Sequence, residues 1–220
     1  MCRVATADTQ RPARDAERSR AAILDAAEEL FAARGFEGAG LGEIAAAAGL
    51  SRGTPSYFFK SKEKLYRAVL DRLFAQRDAA TRRAFAPLQR WIEDPGSGTL
   101  RSALAKAVSG YTAFLQERPA FARLMQREDL SGGERLRAVR GRSNVMTETF
   151  SALRGVARHQ GLRPFAVDDA VLVLVSLAFS PLTQRSTFMT SLGRSLDDPR
   201  TRRRHIELVV DQLLHLMSGR

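Results

Sequence analysis

Apolar residues recur at the spacing of an α-helix along most of this sequence. The first stripe holds four residues at i, i+4, i+7 and i+8, which predicts a helix with one buried face: Ile23, Ala27, Leu30 and Phe31. Ser19 is a suitable N-cap for that helix, and Gly35 is a suitable C-terminal stop. Residues 1–16 show no periodicity and predict a flexible arm ahead of the helix.

Two short segments follow, and a longer helix comes after them. Leu41–Ala48 runs into Gly49, and Ser51–Phe59 begins directly afterwards. Ser61 begins a third helix that can extend to Pro87. Its apolar face consists of Leu65, Val69, Leu70, Leu73 and Phe74.

The remaining sequence has further apolar stripes after a breaker-rich connection over residues 87–98. These stripes predict helices over residues 100–114, 121–125, 139–157 and 206–217. Val167–Phe179 is apolar on nearly all sides and resembles a buried strand as well as a helix. A helix is favoured because no second strand pattern exists to pair with it. The predicted fold class is therefore all-α.

Composition excludes several classes of protein. The 220 residues are 44% hydrophobic and 27% charged, which is typical of a globular protein. The longest nearly unbroken apolar stretch, Ala170–Phe179, is about half of the ~20 residues that a membrane crossing needs. No export signal follows Met1, and Cys2 as the one cysteine supports no internal disulfide. We therefore expect a cytoplasmic protein with no membrane partner.

The formal net charge of +11 is compatible with a nucleic-acid partner but does not locate its binding site. Residues 1–66 contain 10 Lys and Arg against 9 Asp and Glu, whereas residues 67–220 contain 25 against 15. The excess of positive charge thus lies mostly in the last two thirds of the sequence. A DNA-binding site has to be identified from a motif instead.

Residues 40–59 contain the most informative pattern. A helix-turn-helix needs a small residue where its helices cross, a glycine in the turn and an apolar residue after it. Ala45, Gly49 and Leu50 meet these needs, and Ser51 can cap the second helix. The spacing therefore predicts a helix-turn-helix.

The second helix of this pair offers groups suited to a major groove. They are short or form hydrogen bonds: Arg52, Gly53, Thr54, Ser56 and Tyr57. Gly53 would let the backbone approach a phosphate, and the Tyr57 hydroxyl suits a phosphate or a base edge. Lys60 and Lys62 flank the next helix N-terminus, which itself favours anions.

Anchor residues over some forty positions resemble the DNA-binding domain of TetR-family transcriptional regulators. In order they are Ile23 to Ala27, Leu30-Phe31, Gly35-Phe36, Ile44-Ala45, Ala48 to Thr54, and Tyr57 to Leu65. The resemblance covers residues 17–77 and implies an all-α homodimer whose N-terminal three-helix head reads DNA. It also implies a C-terminal helical domain, residues 78–220, that dimerises and binds a small-molecule effector. Carried over by position, the implied DNA contacts are Arg52, Gly53, Thr54, Ser56, Tyr57 and Lys62, the last as a phosphate clamp.

The sequence departs from the family pattern at three places. Ala39-Gly40 stands where Thr or Ser is frequent, which removes a capping hydroxyl and a phosphate contact. Gly42 stands where a longer polar residue is common. Pro55-Ser56 replaces an apolar-Tyr pair, although Pro55 falls in the first helical turn, where its missing N–H matters least. The fold tolerates these changes, but no base-specific code can be transferred.

The C-terminal part suggests two kinds of partner. The last two helices, about residues 167–217, carry more apolar surface than one small core needs, and we expect them to form a dimer interface; burial within one molecule is the alternative. A second set of residues lies on the middle helices and is either core or the wall of an effector pocket. It consists of Tyr111, Phe114, Phe121, Arg123, Met125, Met146 and Phe150.

The resulting hypothesis is a sequence-specific DNA-binding regulator, namely a repressor released from a pseudo-palindromic operator by a small-molecule effector. The alternatives are an activator, an effector-independent regulator, and a helical ligand-binding protein with a degenerate reading head. We expect no enzyme activity, because no paired carboxylates or Cys/His dyad stand out. His159, His205 and His215 are scattered, so no metal or other cofactor is expected.

Overall fold

The computed structural model of the protein describes residues 10–140, 145–158, 162 and 165–218. Within these ranges the side chains of residues 10–12, 138–140, 145–148, 150 and 218 are not described. All regular secondary structure in the described residues is helical, which confirms the all-α prediction. The molecule forms two compact units. The first, here called the head, contains the described residues up to Arg72 together with Arg127–Val139; the second, the body, contains Leu73–Gln126 and the described residues from Arg140 onward.

The head contains three complete helices and parts of three others. The complete ones are α1 (Gln10–Gly38), α2 (Leu41–Ala47) and α3 (Thr54–Phe59). The others are the start of α4 (Lys62–Glu93), the end of α6 (Pro119–Leu130) and most of α7 (Glu134–Arg140). The predicted start of the third helix is confirmed, because the Ser61 hydroxyl caps α4 by accepting a hydrogen bond from the Lys64 N–H at 3.2 Å.

The start of α1 differs from the sequence prediction. The helix begins at Gln10, so the flexible arm predicted for residues 1–16 is wrong over residues 10–16, and so is the N-cap at Ser19. The rest of the predicted arm, residues 1–9, lies outside the described residues. Residues 13–18 are mostly Ala, Arg and Glu, which favour helix. Pro12 lies in the first turn, where its missing N–H breaks no helical bond. The predicted stop is confirmed, because Gly35 interrupts the helical geometry with φ of 76°.

An aromatic cluster holds the core of the head together. The predicted stripe of α1 is buried, with Ile23, Ala27 and Phe31 fully enclosed. The Phe31 ring meets the edge of Tyr66 on α4 at a centroid distance of 4.8 Å. Phe36, just after the Gly35 break, meets Tyr66 at 5.1 Å. The α1 stripe therefore buries itself against the first turns of α4.

The body consists of the rest of α4 and four further helices. They are α5 (Leu100–Glu117), α8 (Val145–Ala157), α9 (Val167–Thr183) and α10 (Pro199–Ser218), joined by the first part of α6. A 3₁₀ turn (Pro95–Ser97) precedes α5, and a π-helical turn (Arg185–Met189) follows α9. The helical interpretation of the apolar 167–179 segment is confirmed. The predicted start of a helix at Val139 is wrong, since Val139 belongs to α7.

Helix α4 continues past the proline at which it was expected to end. Pro87 lies inside the helix, which runs to Glu93. Proline removes the hydrogen bond to the carbonyl four residues earlier. That carbonyl belongs to Arg83, an exposed residue, so water can replace the lost donor.

Close helix packing organises the body. Helix α5 packs against α9 and α10, and α9 packs against α8 and α10. Gly110 lets α5 approach α4, because a Cβ at that position would lie 3.0 Å from the Cβ of Ala84. Arg101 and Asp211 form a 2.6 Å ion pair that joins α5 to α10. Among the described residues, we find no helix with the length and apolar character needed to cross a bilayer.

Candidate nucleic-acid interface

Helices α2 and α3 form the predicted helix-turn-helix. Gly49 adopts a left-handed conformation with φ of 69°, which favours glycine because a side chain would be strained there. The Leu50 N–H donates to the Ala45 carbonyl at 2.9 Å and closes the turn. Ala45 is fully buried where the helices approach, and Leu50 is half-buried behind the turn. Both helices also pack on α1.

The recognition helix α3 begins later than the sequence predicts. It starts at Thr54, so a cap at Ser51 is wrong, and Gly53 occupies the N-cap position without a side-chain bond. The Ser51 hydroxyl is instead 2.7 Å from that of Thr54. Arg52 and Gly53 therefore lie in the turn ahead of the helix. Pro55 falls in the first turn as expected, and it is buried.

Most of the predicted DNA contacts are exposed residues at the turn and the start of α3, and this set is here called the reading surface. It consists of Arg52, Gly53, Thr54, Ser56 and Tyr57, of which only Thr54 is partly covered. Tyr57 is 73% exposed, which is unusual for a large aromatic residue. Its ring meets the edge of Phe58 at 5.2 Å, which supports the exposed ring from behind. An exposed, braced phenol is suited to contact a phosphate or a base edge.

Two of the departures from the family pattern have a structural counterpart in α2. A Cβ at Gly42 would lie 3.4 Å from Nε of Arg52, so the arginine side chain lies over the space that a longer residue would occupy. At the start of α2, Glu43 partly replaces the missing hydroxyl. Its carboxylate accepts the Gly40 N–H at 3.0 Å and pairs with Arg34 at 2.7 Å. The Gly40 bond, followed by Arg34, lowers the pKa of Glu43.

The two lysines beside the reading surface have different environments. Lys62, the predicted phosphate clamp, donates from Nζ to the Glu37 carbonyl at 3.2 Å and lies 4.7 Å above the Phe36 ring. Lys62 therefore also takes part in the packing of the head. Lys60 is exposed, adopts φ of 68° and donates to the Tyr57 carbonyl at 3.1 Å. The sequence places both cations here, but burial shows that Lys60 is the more accessible of the two.

Within the head, residues 127–139 are held to α1 and α4 by contacts that no sequence pattern indicated. The Arg127 side chain donates from Nε to the Ala32 carbonyl at 2.9 Å and from Nη2 to the Ala33 carbonyl. These carbonyls lie at the end of the regular part of α1, where helical donors are absent. The guanidinium of Arg127 therefore caps the C-terminal end of that helix.

A second contact of the same segment is buried. The Tyr66 hydroxyl donates to Oε1 of Glu128 at 2.5 Å, and both residues are almost fully enclosed. Burial, followed by the Glu128 bond, raises the pKa of Tyr66, so the phenol stays protonated and serves as the donor. Arg135 adds an outer contact, with its guanidinium 4.2 Å from the Phe36 ring centroid and 3.0 Å from the Glu37 carboxylate.

The predicted effector residues are only partly brought together. Tyr111, Phe114 and Phe121 are buried and form an aromatic cluster with the half-buried Phe179 of α9, with centroid distances of 5.6 to 6.4 Å. Burial raises the pKa of Tyr111 to about 12. Outside this cluster, Arg123 is exposed and Met125 is half-buried, and the side chains of Met146 and Phe150 lie outside the described residues.

The body core also contains polar groups that sequence reasoning did not identify. Arg77 and Asp78 form a largely buried ion pair at 2.6 Å, and the Arg77 guanidinium lies 4.4 Å from the Phe74 ring centroid. The hydroxyls of Thr81 and Thr112 are buried without a hydrogen-bond partner among the described residues. Buried polar groups are normally paired, so each unpaired one needs an explanation.

An apolar groove lies on the outer face of α9 and α10. It is lined by Leu172, Val173, Ser176, Leu177, Leu208 and Gln212. Leu172 is 64% exposed and Leu208 is 48% exposed, although leucine is usually buried. No cluster of three metal-ligating side chains occurs in the part of the sequence that the structure describes. His205 is half-buried and His215 exposed, and His159 lies outside the described residues.

Two family models match this protein. The model described as bacterial regulatory proteins of the TetR family matches residues 23–69, which include α2, α3 and the reading surface. The model described as tetracyclin repressor-like, C-terminal domain matches residues 101–213. The second match alone spans just over half of the sequence.

Individual proteins are similar over different lengths. The protein is 26% identical over 207 residues to the HTH-type transcriptional repressor NicS of Pseudomonas putida, covering 92% of this chain and 93% of that protein. It is 37% identical over 73 residues to the HTH-type transcriptional regulator TtgR from another strain of Pseudomonas putida, covering 33% of this chain and 35% of that protein. A solved TetR-family transcription regulator from Marinobacter aquaeolei VT8 is 20% identical, with a TM-score of 0.68, over 95% of this chain and 100% of that one. The structural likeness supports the fold.

Proposed function

This chain belongs to the TetR family of bacterial regulatory proteins and is a DNA-binding transcriptional regulator, and we propose on that basis that it is a homodimeric repressor. In this proposal it binds a pseudo-palindromic operator in the cytoplasm and leaves it when a small-molecule effector binds. The observation that carries the proposal is the intact helix-turn-helix with its exposed reading surface. The mechanism requires no catalytic step.

The reading surface supplies the DNA contacts in this proposal. Arg52, Tyr57 and the α3 N-terminus are exposed together, and Lys60 and Lys62 add positive charge beside them. Phosphate contacts position a protein on the duplex, whereas side chains at base edges select the sequence. The two heads of a dimer would occupy half-sites about one or two helical turns apart, roughly 34 Å per turn.

The groove on α9 and α10 is the proposed dimer surface. A two-fold interface uses the same patch on both copies, so exposed Leu172 and Leu208 would pack against the same residues of a second copy. Each of these two leucines is about half exposed or more in a single copy. Their burial against a second copy would provide the apolar core that stable interfaces need. The groove runs between the two helices that the sequence analysis selected.

The body core is the proposed effector site. The aromatic cluster around Phe121 offers an apolar wall. The Thr81 and Thr112 hydroxyls, which have no partner among the described residues, offer hydrogen bonds to a ligand. Ligand pockets typically combine an apolar lining with a few polar groups of this kind. An effector lowers operator affinity only if it binds the DNA-free conformation more tightly than the DNA-bound one.

The test is a binding titration on genomic DNA. Fragments that bind the purified protein are selected from its genome, and affinities for a selected duplex and a scrambled duplex are compared at several salt concentrations. We expect the selected duplex to bind about 10³-fold or more tightly at physiological salt. If no fragment exceeds scrambled DNA, the head does not read sequence, and a ligand-binding protein with a degenerate head becomes the better description. Loss of binding on adding a small-molecule library then identifies the effector.

A further inference from the structure

Helix α9 contains an internal proline that frees one backbone carbonyl. In an α-helix the N–H of residue i bonds to the carbonyl of residue i−4, and proline has no N–H. Pro181 therefore leaves the Leu177 carbonyl without its helical donor. Two residues later the Thr183 hydroxyl donates to the Phe179 carbonyl at 3.1 Å, and the backbone then enters the π-helical turn. The end of α9 thus lacks the one backbone bond that Pro181 cannot make, while the Gln184 N–H still donates to the Ser180 carbonyl at 3.0 Å.

A histidine from the neighbouring helix supplies a donor to this carbonyl. Nε2 of His205 on α10 lies 3.0 Å from the Leu177 oxygen. Because a carbonyl oxygen can only accept, Nε2 must carry the proton. Partial burial lowers the pKa of His205, while the Leu177 bond opposes that shift. The neutral ring with its proton on Nε2 is sufficient for the bond.

The bond lies beside the groove on α9 and α10. Leu177 lines that groove, and Leu208, one helical turn beyond His205, lines it from the other helix. In a single copy Leu177 and His205 are only half-buried, so solvent water lies close to this bond. A second copy that covers the groove removes this water, and a buried carbonyl without a partner is then unfavourable.

We propose that His205 is a positioning residue for dimerisation, since it pairs the carbonyl that Pro181 frees and so allows a second copy to cover the groove without burying an unpaired polar group. This inference rests on the proposed dimer surface. It predicts that loss of the histidine raises the dimer dissociation constant strongly but lowers the stability of the folded monomer only slightly. The histidine is needed because the proline is present, so the two residues should act as a coupled pair.

The first experiment measures the dimer dissociation constant of His205→Ala by sedimentation at several protein concentrations. Each unpaired buried polar group should lower the affinity of the dimer roughly tenfold. A two-fold dimer contains two such groups, so we expect the dimer dissociation constant to rise about 100-fold. Helicity and unfolding midpoint under monomeric conditions should change little. Arg203→Ala is the control, because Arg203 is an exposed residue on the same helix that does not line the groove. His205→Phe keeps an aromatic ring without a donor and should behave like the alanine variant.

The second experiment tests the hydrogen bond itself by suppression. Pro181→Ala restores an N–H four residues after Leu177, so the carbonyl regains a partner within its own helix. In that background His205→Ala should weaken the dimer by less than about threefold, a coupling that simple packing does not produce. An equal loss in both backgrounds would overturn the proposal, as would a dimer that is unaffected by His205→Ala and His205→Phe.

A third variant separates this inference from the proposed dimer surface. Leu208→Glu places charge in the groove and should dissociate the dimer whatever the role of His205. If Leu208→Glu leaves the dimer intact, the surface itself is wrong and the positioning role fails with it. If Leu208→Glu dissociates the dimer and the suppression fails, the surface stands and only the role of His205 is refuted.

Discussion

Removing one buried hydroxyl, by Tyr66→Phe, should destabilise the head. The Tyr66 hydroxyl bonds to the Glu128 carboxylate at 2.5 Å, and the two residues are only 2% and 3% exposed. A hydrogen bond to a charged group contributes about 2 kcal/mol, and water cannot replace the donor at this depth. The phenylalanine ring keeps the contacts with Phe31 and Phe36, so the change isolates the hydrogen bond.

Native-state hydrogen exchange measures this loss where it occurs. A destabilisation of about 2 kcal/mol corresponds to about 30-fold faster exchange of amides that open with the head. We expect this increase in the first turns of α4 and in residues 127–139, with the helices of the body unchanged. The assay therefore reports both the magnitude and the location of the effect.

Tyr57→Phe is the matched control for this prediction. It removes the same hydroxyl from the same unit, but at a residue that is 73% exposed, so exchange should stay within experimental error of the wild type. Glu128→Gln provides a second test of the same bond. Because the two residues share one bond, the double variant with Tyr66→Phe should be less destabilised than the sum of the single variants. Unchanged exchange in Tyr66→Phe, or strict additivity of the two, would refute the reasoning.

Three further predictions concern the reading surface and the start of α10. Tyr57→Ala should weaken operator binding about tenfold or more in an anisotropy titration. The sedimentation behaviour of the variant should stay unchanged, and wild-type affinity would show that Tyr57 does not contact DNA. Lys60→Ala and Lys62→Ala should each lower the salt slope of DNA binding by about one unit. Only Lys62→Ala should also lower the thermal midpoint, because its Nζ joins the start of α4 to Glu37 and the Phe36 ring, whereas the Lys60 bond to Tyr57 is local and exposed; equal midpoints would contradict that distinction. Hydrogen bonds from Thr201 hold the pKa of Asp198 below its ordinary value of 3.8, so this group stabilises the protein above that pH and loses its effect as pH falls through the folded-state pKa. Asp198→Asn should therefore flatten the acid limb of a stability profile measured by circular dichroism, and an unaltered limb would show that Asp198 does not shape it.

Much of the fold is visible in the sequence because burial is periodic. The stripes that predict α1, α5 and α10 consist largely of residues that the structure buries, since a single apolar face must be covered. Helix ends are less predictable. Ser19 and Ser51 are chemically suitable caps, yet α1 starts nine residues before Ser19 and α3 starts three residues after Ser51. Capping residues permit a start but do not impose one where the flanking residues favour continued helix or a turn.

The site is visible in part for a related reason. The reading surface follows from local spacing within one short motif, so sequence alone places Arg52 and Tyr57 on it. The bonds from Arg127 to α1 and from Glu128 to Tyr66 join residues 62 to 95 positions apart, and no local pattern indicates them. Pro181 is likewise obvious in the sequence, whereas the donor that compensates for it depends on how α9 and α10 pack.

The head is assembled from two separate stretches of sequence, which restricts how parts of this regulator can be recombined. A chimera that carried only the segment up to Arg72 would leave the Ala32 carbonyl without Arg127 and the Tyr66 hydroxyl without Glu128. The missing stretch, Arg127–Val139, lies inside the region that matches the C-terminal family model, so a boundary drawn between the two family models cuts through the head. Exchange of operator specificity between relatives, in the laboratory or in evolution, therefore has two routes. Either both stretches move together, or the recipient supplies an equivalent donor for the Ala32 carbonyl and an equivalent acceptor for the Tyr66 hydroxyl from its own sequence.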